Sequence, residues 1–527
     1  MRTQFVTRYL AAGALLFGAL ACGDLTVEPK STVTDATIFN DPTSYRSFLA
    51  KLYAGLAVTG QAGPDGNADI QGIDEGFSQY VRGYWQLQQL PTDEVLIGWG
   101  DTGLPELNTQ LWSASNVFVG AMYSRIFYQV ALANQFLRET SEGKLSERGV
   151  SAELRTQIQG YRAEARFLRA LSYWHAVDLF GSVPLVDENF DLSALPRQAT
   201  RTEVFNFAES ELKAIRAALP ATSRGDNYGR ASQGAVDMVL AHLYLNAAVY
   251  TGTARWADAR AAAEAVISSN NYSLDPNYIR LFSIDNTASQ EIIFAIPFDG
   301  DRTRTWGGLT YLTHAAVGGS MNAASYGLDG GWWGLRLRPE AVDRYEGGAT
   351  GPDRRTSYFY TTGQTKTIAS IGEFTNGYAA PKYRNITTTG QAGKNSTHPD
   401  TDYPMFRLAD AYLIYAEAHL RGGGGTAVNA LNYVNLVRQR AYGGITGNIV
   451  ATQLTLDFIL DERSRELLWE GFRREDLVRY DRFTDNTTWT WKGGVPAGQV
   501  TPSHRDIYPI PANELFANPT IKQNPGY

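Results

Sequence analysis

The stretch Ala163–Val186, AEARFLRALSYWHAVDLFGSVPLV, constrains the fold more than any other part of the chain. Leu154, Ile158, Tyr161, Ala165, Leu168, Leu171, Trp174 and Leu179 recur at steps of mostly three and four, which sets them on one stripe of a long helix. Ser151 stands where an N-cap is needed, and Glu153 puts an acid in the first turn, where the helix dipole favours it. Gly181 and Pro184 end the helix. A stripe this wide and aromatic needs other helices packed on it, so the spacing predicts a buried hub.

Helical patterns recur along the chain. They cover Leu111–Arg138, Thr202–Leu219, Ser232–Tyr250 and Trp256–Ser269, then Phe406–Leu420 and, after Gly422–Gly425, Ala427–Arg440. Trp256-Ala257-Asp258-Ala259 with its alanine-rich continuation is typical of the second helix of a tetratricopeptide-type pair. The self-similarity has no fixed period, which predicts an irregular array.

The N-terminus carries Arg2 and Arg8, then the apolar run Leu10–Ala21, too short to span a bilayer and shaped like a secretory signal. Ala19-Leu20-Ala21-Cys22 looks like a bacterial lipobox, so residues 1–21 read as a lipoprotein signal peptide and Cys22 as the site of lipid attachment. Residues 22–40 read as a polar tether, and 22–527 as a single unit. Cys22 is the only cysteine, so no intramolecular disulfide can form. A net charge of −7 and an isoelectric point near 5.6 argue against a nucleic-acid partner.

Enzymatic signatures are missing. The six histidines are scattered without a His-Glu-x-x-His pattern, and there is no P-loop, nucleophile elbow or Rossmann fingerprint. Glu462, Glu466 and Glu470 share a helical face, but arginines at pairing distance (Arg463, Arg465, Arg473, Arg474) make them ion-pair partners that brace the last helices. The reading is a binding protein and not an enzyme, with no metal and no cofactor.

From about 285 to 404 the composition turns to Gly, Thr, Asn and aromatics. Glu291–Phe298 reads as a strand, and Tyr358–Thr362 and Thr365–Ser370 as possible further ones. Trp306, Tyr311, Tyr326, Trp332 and Trp333 lie among glycines, and Trp85, Trp99 and Trp112 form a second aromatic cluster near Asp101. A sugar ring offers an apolar C–H face that stacks on an aromatic ring, while its hydroxyls need polar groups at the rim. Trp99, Asp101, Trp306, Tyr326, Trp332 and Trp333 are the candidate ligand-binding residues, with Arg302, Arg304, Asn322 and Asp329 as further rim groups. The same tryptophans could instead clamp long loops to the scaffold.

Several segments together resemble the SusD/RagB family of outer-membrane nutrient-binding lipoproteins. The hub string is one. Arg407–Ala418, Asn432–Arg440, Ile459–Tyr480 and the closing Tyr508-Pro509-Ile510-Pro511 to Tyr527 follow in the family's order. The resemblance implies an all-α dominated fold: an irregular tetratricopeptide-like (TPR) helical scaffold carrying a loop-rich, partly β ligand-binding subdomain. It also implies a lipoprotein on the exterior of the outer membrane that captures glycan oligomers and delivers them to a SusC-like TonB-dependent barrel. The alternatives are the same fold capturing peptides, a surface glycoside hydrolase using acids such as Asp93 and Glu94, and a helical adaptor without a small ligand.

Overall fold

The hub forms as one helix, Ala152–Leu179, with the Ser151 side chain accepting from the Leu154 N–H and Gly181 following at φ +72°. Its first turns are amphipathic, but from Ala163 to Phe180 every residue except Arg166 is buried. In the computed structural model, residues 38–39, 41–61, 63–64 and 68–527 are described. Cys22, the signal segment and all of the tether except residues 38 and 39 lie outside them. Met1–Tyr45 and Arg46–Tyr527 are separate units, and all the elements below belong to the second.

Labelled in chain order, the helices used here are α1 (Tyr80–Gln89), α2 (Val117–Glu139), α3 (the hub, Ala152–Leu179), α4 (Arg201–Ile215), α5 (Gln233–Leu245), α6 (Trp256–Ser268), α7 (Gly308–His314), α8 (Leu408–Leu420), α9 (Ala427–Tyr442), α10 (Leu456–Glu466) and α11 (Arg473–Arg479). The strands are β1 (Val95–Ile97), β2 (Ile292–Ile296), β3 (Leu335–Leu337) and β4 (Tyr403–Arg407). Helix α3 packs between α2 and α4, and α5, α6, α8 and α9 continue as neighbours in turn. This is the irregular helical scaffold that the repeating pattern predicts, with residues 269–407 inserted between the adjacent α6 and α8.

The insert is closed at its base by β2, which pairs antiparallel with β4. Further out, β3 pairs antiparallel with β1. The other strands expected in the insert do not form: Tyr360 and Thr365 make only isolated bridges, to Ala379 and Asn376.

Several helix boundaries differ from the periodicity, three of them instructively. The helix expected from Leu111 starts at Val117, because the Asn116 side chain accepts from the Phe118 and Val119 N–H groups and fixes the start there. The segment expected to run to Tyr250 breaks at Asn246, whose side-chain amide donates back to the His242 carbonyl. Phe406, expected in a helix, lies in β4 instead.

Glu462, Glu466 and Glu470 are buried ion-pair partners, but of the nearby arginines only Arg465 pairs with one of them (Glu462); Arg463, Arg473 and Arg474 turn to Asp410, Asp93 and Asp178, and the other cations come from distant segments. Arg355 bonds Glu462 at 2.9 Å and Glu466 at 3.0 Å, and Arg407 bonds Glu470 at 2.6 Å and Glu291 at 2.9 Å. Lys382 closes on Glu470 at 2.6 Å. They do not share one continuous helix: α10 ends at Glu466, and the chain turns through Trp469 and Gly471, both at positive φ, before α11. Arg355 and Lys382 come from the insert and Arg407 from its closing strand, so the network fastens the insert to α10.

Candidate functional site

Four short segments converge where the insert meets α1. The chain leaving β1 supplies Trp99, the loop before α7 supplies Trp306, α7 itself supplies Tyr311 and His314, and the chain entering β3 supplies Trp332. Backbone bonds fix the arrangement: Gly98 N–H donates to the Gly334 carbonyl at 3.0 Å, and Trp332 N–H to the His314 carbonyl at 2.9 Å. A Cβ on Gly334 would lie 2.7 Å from the Trp99 ring, so only glycine lets that indole rest flat on the backbone. The chain at Trp306 is held by its backbone N–H, which donates to the Glu75 carboxylate at 2.9 Å.

The result is a stepped row of partly exposed indoles. Trp99 and Trp332 have ring centroids 6.2 Å apart at 49°, and Trp332 and Trp306 are 6.3 Å apart at 50°. His398 continues the row beyond Trp306 at 5.2 Å, and His314 tilts against Trp332 at 4.7 Å. Behind Trp99, edge contacts through Tyr311 to Trp85 and then Trp469 root the row in the core. The row is thus rigid, as a stacking platform should be to keep its entropy cost low.

Beneath it lies a cation that the sequence did not single out. Arg82, on α1, is 2% exposed, with its guanidinium 4.2 Å from the Tyr311 ring, 4.6 Å from Phe77 and 6.0 Å from Trp99. Its Nε and Nη2 find no hydrogen-bond partner among the described residues. Burial pushes its pKa down, opposed by Tyr311, Asp74, Asp101 and Glu75. Burial likewise pushes His314 and His398 below the ordinary histidine value, so both are neutral at pH 7. No pattern in YVRGYWQLQQ sets Arg82 apart locally; the one clue is that a helix so uniformly buried carries an arginine.

The six candidate residues divide. Trp99, Trp306 and Trp332 come together, and the exposed Asp101 acts electrostatically on Arg82 and Tyr311. Trp333 does not join them. It stands at φ +56°, 54% exposed, and packs on Phe374 at 5.9 Å. Tyr326 lies on a turn capped by Asn322 and faces the Arg384 guanidinium at 5.8 Å, without a ring contact to the row. Asp329 reaches the row through His314, at 3.2 Å. Arg302 and Arg304 are exposed on the loop leading to Trp306.

Trp85 and Trp112, grouped with Trp99 by sequence proximity, are core residues 0% and 1% exposed. Asp93 and Glu94, the acids of the hydrolase alternative, are buried too. Against the cost of burial, Arg344 and Arg473 hold Asp93 well below the carboxylate range, while burial raises Glu94 to about 7. Arg473 grips Asp93 at 2.8 Å and Ser464 donates to Glu94 at 2.6 Å, so neither carboxylate faces an open cleft.

The chain has extensive known relatives. Residues 352–527 match the SusD family, and residues 97–245 match a family described as starch-binding and associating with the outer membrane. Starch-binding protein SusD from Bacteroides thetaiotaomicron is 35% identical, with both chains covered completely. SusD-like protein P25 from Formosa agariphila is 25% identical over 97% of this chain and 96% of its own. Surface glycan-binding protein A from Bacteroides fluxus has the same fold, with a TM-score of 0.72 at 22% identity over 92% of this chain and 99% of that one. The Bacteroides thetaiotaomicron surface glycan-binding protein A, solved in complex with laminarihexaose, matches with a TM-score of 0.69 at 21% identity over 91% and 98%. With 35% identity to a SusD protein over the full length of both chains and a SusD family match at the C-terminal end, the chain belongs to the SusD/RagB family.

Proposed function

We propose that this protein captures neutral glucan chains at the outer-membrane surface, on the row Trp99–Trp332–Trp306, and does not turn them over. The observation that carries the reading is the stepped row itself. Three indoles turned by about 50° from one to the next suit a glycan that coils, such as an α-1,4- or β-1,3-glucan, better than a flat ribbon. The starch-binding relative and the laminarihexaose complex of a structural neighbour favour the same ligand class. The exposed Asp101 would supply polar contacts to ring hydroxyls. Binding holds the oligomer at the mouth of a SusC-like TonB-dependent barrel, which carries out import. Lipidated Cys22 and the tether at 22–40 keep the protein on the exterior face, and residues 285–404 act as the ligand subdomain.

The test is calorimetry of the lipid-free protein, from residue 23 onward, against soluble starch, laminarin and a peptide pool, with Trp332→Ala alongside. Saturable glucan binding without product, weakened at least tenfold in the variant, is the expected result. Binding to peptides alone would overturn it. Co-purification of a TonB-dependent barrel from native outer membranes tests the delivery step.

A further inference from the structure

A second depression lies one loop away from the tryptophan row. It encloses about 530 Å³ between the chain leaving β2 and the turn that leads to Lys394, and its walls include Tyr228, Pro297, Asp299, Lys394, Asp400 and Asp402. That volume falls within the range of small-ligand pockets. Tyr228 and Pro297 also line an adjoining depression of about 250 Å³, so the concave surface continues past them.

Two loops serve both this groove and the row. The first runs from Asp299, in the groove wall, to Trp306, in the row. The second runs from Lys394 and Asp400, in the groove wall, through His398, whose ring packs on Trp306 at 5.2 Å. The loops are locked together: Lys394 bonds Asp299 at 2.6 Å, Gly300 N–H donates to Asp400 at 2.9 Å, and a Cβ on Gly300 would meet the His398 carbonyl at 2.4 Å. The wall is also preorganised. Asp402, 3% exposed, accepts from the Tyr228 hydroxyl at 2.7 Å and the Phe298 N–H at 2.8 Å.

We propose that the groove is a second carbohydrate subsite, which takes further units of a neutral oligosaccharide whose other units lie on the row. The inference rests on the glucan-capture reading above. Tyr228 and Pro297 offer apolar faces to sugar C–H groups, and Asp299, Lys394 and Asp400 offer acceptors and a donor to hydroxyls. Three carboxylates against one ammonium disfavour uronic or sulfated sugars, which would meet like charge.

The experiment compares chains of three and seven units, from both the malto- and laminari-oligosaccharide series, by calorimetry. Wild type is set beside two groove-filling variants, Thr287→Trp and Ala392→Trp, both at exposed wall positions, and beside the row variant Trp332→Ala. Thermal melting checks that each is folded, and two fillings guard against one failing. The expected result is that wild type binds a heptasaccharide at least tenfold tighter than its trisaccharide. The filled variants should bring that ratio within twofold while keeping trisaccharide affinity, and the row variant should weaken both lengths. A length advantage that survives filling, or a wild type without one, would overturn the groove assignment and leave the row reading standing. No binding of either series at either length would overturn the row reading, and the groove with it.

Discussion

The Trp99 indole N–H donates to the backbone carbonyl of Trp332 at 2.9 Å, so one indole of the row holds the chain that carries the next. Trp99→Phe keeps a ring and deletes this bond. A hydrogen bond of this kind is worth about 0.5–1.5 kcal/mol net. Glucan affinity should fall several-fold, with melting changed by only a few degrees, as calorimetry and thermal scans would read. Unaltered affinity would mean that the bond does not set the spacing of the row.

The hub makes a prediction about stability. Trp174 and Phe180 are 1% and 0% exposed, and replacing either by Ala should cost about 3–5 kcal/mol. Denaturant unfolding of the two variants checks this; unchanged midpoints would contradict the role of α3 as the centre of packing.

A buried histidine ties stability to pH. His242, on α5, sits between Asp410 of α8 at 2.7 Å and Glu475 of α11 at 2.9 Å. Despite burial, these carboxylates raise its pKa to about 9. The folded state thus binds the proton more tightly than the unfolded chain, whose histidine titrates near 6.5. Its contribution is complete below pH 6.5 and fades as pH rises towards 9, by about 3 kcal/mol in all. His242→Gln should remove this slope, so the stability difference between wild type and variant narrows across that window. A constant difference from pH 6 to 9.5 would refute the assignment.

Arg407 faces Glu291, Glu466 and Glu470, with side-chain exposures of 0–1% throughout. Arg407→Met leaves these carboxylates short of a cation in the interior, a change that costs about 3–5 kcal/mol. Because Arg407 ends the strand that closes the insert, glucan binding should weaken together with stability. Calorimetry on the folded fraction tests that coupling.

Cys22→Ser should shift the full-length protein out of the membrane fraction and abolish incorporation of an alkyne-labelled fatty acid. Retention of label would place the acyl chains elsewhere.

The scaffold was largely legible in the sequence because helices announce themselves through local spacing, and the hub from Ser151 to Gly181 was readable almost to its caps. The errors lie where a single side chain overrides periodicity, as with Asn116 and Asn246. Which of the loop aromatics come together was only partly legible. Trp332 and Trp333 are adjacent in the chain, yet one joins the row and the other turns to Phe374, because the positive φ of Trp333 sends its ring another way. Arg82 carries no such local signal, because its surroundings are rings contributed from residues 77, 99 and 311. Such convergence is a property of tertiary packing and leaves no trace in a local window.

The antiparallel clasp of β2 and β4 brings the two ends of the insert side by side, beside helices α6 and α8 that already pack together without it. A segment with adjoining ends can lengthen, shorten or be exchanged while the helices on either side keep their register. The clasp thereby makes residues 269–407 an exchangeable piece, and the helical frame around it need not be folded anew when that piece changes.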